Sequence, residues 1–318
     1  MTALAFNVVA GFNDGGNLLA AAASSRTIPV SIAFVLIVAF AFVGPLVFGT
    51  AVAATLGAGI ADYAAVGMPL LLAAIGASLA AVLLSYSMRL PTMMSLSLVS
   101  AMVGSLLVGR GADVVHWPGV IKVVISAFGS ALAGFVIGAL AFALLNVLLR
   151  PVSRAAGDRI MKLQYGTVAL QALGYGANDA EKMMGLMAAA VAPQVAGHAF
   201  HVPLWAIAAA IAAFGGGLAI GGMRVAKTVG GKLFTIRPEH ALAFQAAAGA
   251  TVMAASLAGA PLSTTETTAS AIVGVGAVAR PRRVYWRVVA RLVGAWLITM
   301  PVAFAFGMLA GLIVRGVK

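Results

Sequence analysis

The chain contains no cysteine, which excludes disulfides, thiol nucleophiles and cysteine-based metal sites and leaves the redox compartment open. Charge is scarce as well. Only 9% of the 318 residues are charged, and 8 residues are acidic. A soluble globule of this length must cover itself with polar groups, and 62% hydrophobic residues with a mean hydropathy of +1.07 do not allow it. The alternation of apolar and polar residues that a transmembrane barrel needs is missing too. No Lys or Arg precedes Arg26. The N-terminus therefore lacks the positive region of a secretory signal, and the first apolar segment is expected to be retained.

What the chain does have is apolar runs. They cover roughly 1–23, 28–56, 64–88, 91–109, 119–149, 166–190, 203–222, 240–258, 261–278 and 292–315, several of them near the ~20 residues that cross a bilayer. The expected fold is an all-α integral membrane protein with about 8–10 transmembrane or re-entrant helices in two inverted repeats. Polar residues interrupt the first and sixth runs. Pro91 and Pro261 stand close to run ends, where proline marks tight hairpins or re-entrant turns. The net charge of +12 does not point to nucleic acid, because nearly all 20 Lys and Arg lie in short gaps between apolar runs.

The chain repeats itself. Gly11-Phe12-Asn13-Asp14-Gly15-Gly16-Asn17 aligns with Gly176-Ala177-Asn178-Asp179-Ala180-Glu181-Lys182. Further on in each half, Pro91-Thr92-Met93-Met94-Ser95-Leu96-Ser97 aligns with Pro261-Leu262-Ser263-Thr264-Thr265-Glu266-Thr267. These matches divide the chain into a first repeat over 1–149, a basic cytoplasmic linker over 150–165 and a second repeat over 166–318. If 64–109 and 240–278 are hairpins that return to their side of entry, 14 Lys or Arg fall on one side and 4 on the other. The larger set belongs in the cytoplasm, and the halves then enter in opposite senses. Paired interruptions in two such halves are the sequence mark of a secondary transporter's binding site.

Four acidic residues, Asp14, Asp179, Glu181 and Glu266, lie inside these motifs. A carboxylate at bilayer depth costs roughly 2.5–3.5 kcal/mol on insertion scales, so it is expected to handle an ion or a proton. Asn-Asp at a helix break, with glycines permitting the break, offers unwound carbonyls and side-chain oxygens to a small cation. Pairing of a carboxylate with Lys182 is the structural alternative. Ser263, Thr264 and Thr265 follow Pro261 at an expected helix start, where hydroxyls and free N–H groups receive an oxyanion.

The doubled Gly-x-Asn-Asp motif, Ala260-Pro261-Leu262-Ser263-Thr264-Thr265-Glu266 and the closing run from Gly294 to Pro301 resemble the inorganic phosphate transporter (PiT) family over most of the chain. The resemblance implies a symporter of inorganic phosphate driven by Na+ or H+, without other cofactor, in the cell membrane. It also implies a homodimer in contact with membrane lipid, here in the cytoplasmic membrane of a bacterium. By motif position it implies substrate contacts from Ser263, Thr264, Thr265, Asn178, Asn13 and Ser95. Arg89 is added as a bidentate partner for the oxyanion. Ion coupling falls to Asp14, Asp179, Asn17, Lys182 and Glu266, with Asp14 and Asp179 as the metal ligands if Na+ is the coupling ion.

The sequence departs from the family pattern in two places. Glu266 stands where the family has His, and Met93, Met94 and Leu96 replace the first half's hydroxyls and His. Glu266, directly after the hydroxyls, is expected near the anion, linking binding to proton uptake. Sulfate is the nearest alternative substrate, and an intramembrane aspartyl hydrolase with Asp14 and Asp179 as its dyad is the alternative of another class. His198 and His201, and the basic cluster Arg280, Arg282 and Arg283, read as interfacial anchors. Gly134-x-x-x-Gly138 and Gly217-x-x-x-Gly221 read as close helix contacts.

Overall fold

The computed structural model describes residues 1–25, 27–62, 66–87, 93–151, 159–191, 202–224, 226 and 234–316. Arg89, Pro91, His198, His201 and the middle of the basic linker lie outside them. Every apolar run carries helix. In chain order these are α1 (Thr2–Ser25), α2 (Val30–Phe48), α3 (Ala51–Gly57), α4 (Met68–Ser87), α5 (Met94–Gly109) and α6 (Trp117–Leu149). There follow α7 (Gln164–Tyr175), α8 (Glu181–Val191), α9 (Leu204–Gly217), α10 (Pro238–Leu257), α11 (Thr264–Ala279) and α12 (Trp286–Gly316). Among the described residues, six helical segments are long and apolar enough to cross a membrane, and α5 is a shorter apolar helix. The protein is an all-helical membrane protein.

The run at 28–56 splits where Gly49 takes φ +78°, a left-handed value that ends α2 before α3 begins. The interruptions expected at the two Asn-Asp motifs are not breaks. α1 passes through Asn13 and Asp14 without interruption. The second motif forms one π-helical turn, Gly176–Ala180, that joins α7 to α8, and both Tyr175 and Gly176 keep right-handed helical dihedrals. No carbonyls are unwound there for a cation. In surroundings without water an intact helix satisfies its own backbone, and the motif glycines serve packing instead. A Cβ on Gly11 would collide with the Phe214 carbonyl of α9, and one on Gly176 with the Ala41 carbonyl of α2.

The last helix of each sequence half packs on the short helix of the other: α12 lies along α5, and α6 along α11. Contact is close because Gly134 and Gly138 of α6 face the carbonyls of Thr267 and Ala271, leaving no room for a side chain. Gly217 and Gly221 of the α9 segment approach Val8 and Phe12 of α1 in the same way. α10 lies mostly inside the bundle, whereas α6 and α12 expose long apolar faces, such as Ile125 and Leu132 or Leu309 and Ile313.

Side-chain bonds fix the helix directions around the centre. α7 and α10 run parallel, since Thr167 meets Gln245 and Asn178 meets Ser256. α11 and α1 run against them. Thr264 meets Asp179 while Thr268 meets Gln171, and Asp14 meets Thr265 while Ser25 meets Gln164. One end of this group therefore gathers Ser25, Arg159, Lys162, Arg237, Arg280, Arg282 and Arg283.

Candidate functional site

Ser263 is the N-cap of α11, in extended conformation, and Thr264 and Thr265 open the helix. The donors that a helix start leaves unpaired meet a carboxylate of the protein itself. Asp179 Oδ2 accepts from the Thr264 N–H at 2.9 Å and from the Thr264 hydroxyl. Asp179 Oδ1 accepts from Ser95 Oγ at 3.2 Å and from the Lys182 ammonium, one helical turn on, with which it forms a buried ion pair. Lys182 Nζ also donates to Ser95 Oγ at 2.5 Å and to the Leu262 carbonyl. Three oxygens thus surround the ammonium. The pairing of a motif carboxylate with Lys182, the structural alternative from sequence, is present for Asp179.

Asp14 sits across from this pair. Its Oδ1 accepts from Thr265 Oγ1 at 2.5 Å and from Asn13 Nδ2 at 3.0 Å. Thr265 Oγ1 in turn accepts from Asn17 Nδ2 at 2.9 Å. Asp14, Ser95, Asp179 and Lys182 line one small cavity together with the Asn7 amide, and Phe6, Ala10, Met94 and Leu98 complete its wall. Its room is on the order of one water molecule. A monovalent cation fits such a space. A phosphate does not fit without outward movement of the apolar wall.

The predicted residues divide accordingly. Asp14, Asp179, Lys182, Ser95, Thr264, Thr265, Asn13 and Asn17 form one hydrogen-bonded cluster from α1, α5, α7–α8 and α11. Asn178 is wholly buried behind it. Its Nδ2 donates to Ser256 Oγ and the Ala260 carbonyl, and its Oδ1 accepts from the Leu262 N–H, so it pins the link 258–263 that presents α11. Ser263 and Glu266 also lie behind the cavity wall. Glu266 is fully buried, neither of its oxygens has a hydrogen-bond partner among the described residues, and the Ser263 hydroxyl is a polar neighbour out of good bonding geometry. No His, Cys, Asp and Glu cluster able to hold a metal by three such ligands occurs among the described residues.

Glu181, grouped by the motifs with the carboxylates expected to handle an ion or a proton, receives backbone donors instead. Glu181 Oε2 accepts from the Val52 and Ala53 N–H groups, both at 3.1 Å, and so caps α3. The acidic residue was visible, but its partner, distant in sequence, was not. The polar residues Gln164, Gln171 and Tyr175 were passed over. Their helical spacing to Asn178 was the available signal.

An all-helical bundle that holds two carboxylates, an ammonium and helix-terminal hydroxyls at membrane depth defines a membrane transporter rather than an enzyme. The chain belongs to the phosphate transporter family, whose model matches residues 10–307. It is 31% identical over 312 residues to the probable low-affinity inorganic phosphate transporter of Bacillus subtilis (strain 168), covering 97% of this chain and 93% of that one. It is 33% identical over 303 residues to the protein of the same description from Rhizobium meliloti (strain 1021), covering 95% and 91%. A solved structure titled "The sodium-dependent phosphate transporter" shares the fold, with a TM-score of 0.86 at 23% identity over 100% of this chain and 97% of that one. Membership in this family sets aside the hydrolase alternative.

Proposed function

We propose that the protein carries inorganic phosphate across the cytoplasmic membrane of a bacterium, coupled to Na+, through the cluster around Asp14 and Asp179. The observation that carries this reading is that motifs from both halves converge on one cavity, Asp14 with Thr265 and Asp179 with Ser95. Phosphate, rather than sulfate, follows from the family and from the named relatives, which come from bacteria. The charges support coupling to one monovalent cation. Two carboxylates and one ammonium line the cavity, leaving one negative charge for a cation to balance before an anion can enter. Asp14, Ser95 and Asp179 offer oxygens there, as a hard cation requires, and the structural neighbour's title names sodium.

The same reading treats the chain as two inverted repeats joined over 150–165. The order of elements supports it: α4, α5 and α6 follow the first Asn-Asp motif as α10, α11 and α12 follow the second. The larger basic set then faces the cytoplasm. A homodimer belongs to this proposal, the exposed apolar faces of α6 and α12 being surface that lipid or a second copy covers.

The test is uptake of radiolabelled phosphate into proteoliposomes under imposed Na+ or H+ gradients, with labelled sulfate in parallel. Phosphate accumulation that needs an inward Na+ gradient supports the reading. Accumulation driven by a proton gradient without Na+ overturns the choice of ion, and preference for sulfate overturns the substrate.

A further inference from the structure

A second set of buried polar side chains stands beside the cavity, unused by the cluster described above. Gln164, Gln171, Tyr175 and Asn178 recur at helical spacing and share one face of α7 and its π-helical turn. Thr268 of α11 bonds Gln171, Gln245 of α10 bonds Thr167 of α7, and Glu266 lies two residues before Thr268. Three hydrogen bonds tie part of this column: Ser25 Oγ to Gln164 Oε1 at 3.0 Å, Thr167 Oγ1 to Gln245 Oε1 at 3.2 Å and Gln171 Nε2 to Thr268 Oγ1 at 2.8 Å. Gln164 Nε2, Gln171 Oε1, the Tyr175 hydroxyl, Gln245 Nε2 and both Glu266 oxygens have no partner among the described residues. All five side chains belong to residues at most 1% exposed.

A buried polar atom left unpaired costs about 1–3 kcal/mol, so several together on three adjoining helices are a poor way to fill a core. The fold does not demand them. In the register of the repeated motifs, the first-half counterparts of Gln171 and Tyr175 are Phe6 and Ala10, those of Glu266 and Thr268 are Leu96 and Leu98, and that of Gln245 is Ile75. All of these are apolar, and Phe6, Ala10 and Leu98 wall the cavity on its opposite side. Asn7, also buried and with its Nδ2 unpaired among the described residues, is the polar exception on that side. The polar column leads from Asp14 and Asp179 to the end where Lys162, Arg237 and Arg280 gather.

We propose that this column is the passage, shut in this conformation, by which phosphate leaves the cavity for the basic end of the bundle. The proposal rests on the phosphate reading above. Neutral amides and hydroxyls offer an oxyanion successive hydrogen bonds without a fixed cation to hold it, and transport needs sites that release as readily as they bind.

The chain has no cysteine, so single cysteines report access directly. Gln245→Cys and Thr268→Cys, with Ile75→Cys and Leu96→Cys as controls, are exposed to an impermeant thiol reagent in vesicles of both orientations, with phosphate and Na+ present. The first pair should react about tenfold faster from the basic end than from the other face, a ratio worth about 1.4 kcal/mol, and the controls should not. Gln245→Leu provides the second measurement. Thr167 keeps its bond to the Gln164 carbonyl in that variant, so nothing is orphaned. Its melting temperature should hold or rise while phosphate uptake falls about tenfold. Absence of uptake by the parent protein in the same vesicles would sink the substrate reading. Normal uptake with Gln245→Cys and Thr268→Cys unreactive from the basic end, or with Gln245→Leu at the parent rate, overturns the passage alone.

Discussion

The Thr265 hydroxyl of α11 donates to the Asp14 carboxylate of α1 at 2.5 Å, across 251 positions of sequence. The bond closes the cavity between the two halves and gives Asn17 a place to anchor at 2.9 Å. If it organises the site, Thr265→Val should cut phosphate uptake at least tenfold, since a hydrogen bond to a charged group is worth about 1.5–3 kcal/mol. Thr265→Ser should keep most of it. Loss in Thr265→Ser with uptake kept in Thr265→Val, which retains the methyl, would assign the residue to packing, as initial-rate uptake will tell.

Asp14 and Asp179 should differ in stability though not in transport. Asp179→Asn leaves the Lys182 ammonium buried without its counter-charge, and breaking a buried pair in this way costs about 3–5 kcal/mol. Asp14 forms no ion pair among the described residues, so Asp14→Asn should melt close to the parent temperature. Both should abolish gradient-driven uptake. Adding Lys182→Met to Asp179→Asn should restore the melting temperature without restoring transport. Melting of the detergent-solubilised variants beside proteoliposome uptake separates the two effects.

Glu181 acts on the fold through α3. Its carboxylate receives two backbone N–H groups at that helix start, and losing a cap costs about 0.5–2 kcal/mol. Glu181→Ala should lower the melting temperature with little change in phosphate affinity. A weakened affinity at unchanged stability would move Glu181 into the transport site.

Orientation is open to a direct test. Cysteines at Ile160, Thr235 and Tyr285, each in a basic gap, should resist an impermeant thiol reagent added to intact cells and react in inverted vesicles. Rapid labelling of any one from outside would reverse the arrangement proposed for the two halves.

Much of this was legible in the sequence. The apolar runs gave the helices, because a segment without polar groups has no stable place but the bilayer interior, and Ser263 stands at a helix start as the nearby proline implied. The helix breaks at Asn13 and Asn178 did not follow. Glycine beside a polar pair permits a break, but it equally permits a close approach, and Gly11 and Gly176 are used for approach. Asn178 looked like a ligand and is found bracing the link 258–263. Which oxygen or amide faces a cavity depends on a neighbour far away in the chain.

The sequence by itself determined the membrane class, the helix positions, the repeated motifs and the family, all of them properties of composition and local order. The tertiary structure alone decided that Lys182 lies among Asp179, Ser95 and the Leu262 carbonyl, and that Gln164, Gln171 and Gln245 each keep an amide atom unpaired among the described residues. Hydrophobicity is carried by each residue wherever it goes. The worth of a buried charge or amide is set by its partners, and those are chosen only when α1, α5, α7 and α11 pack against one another.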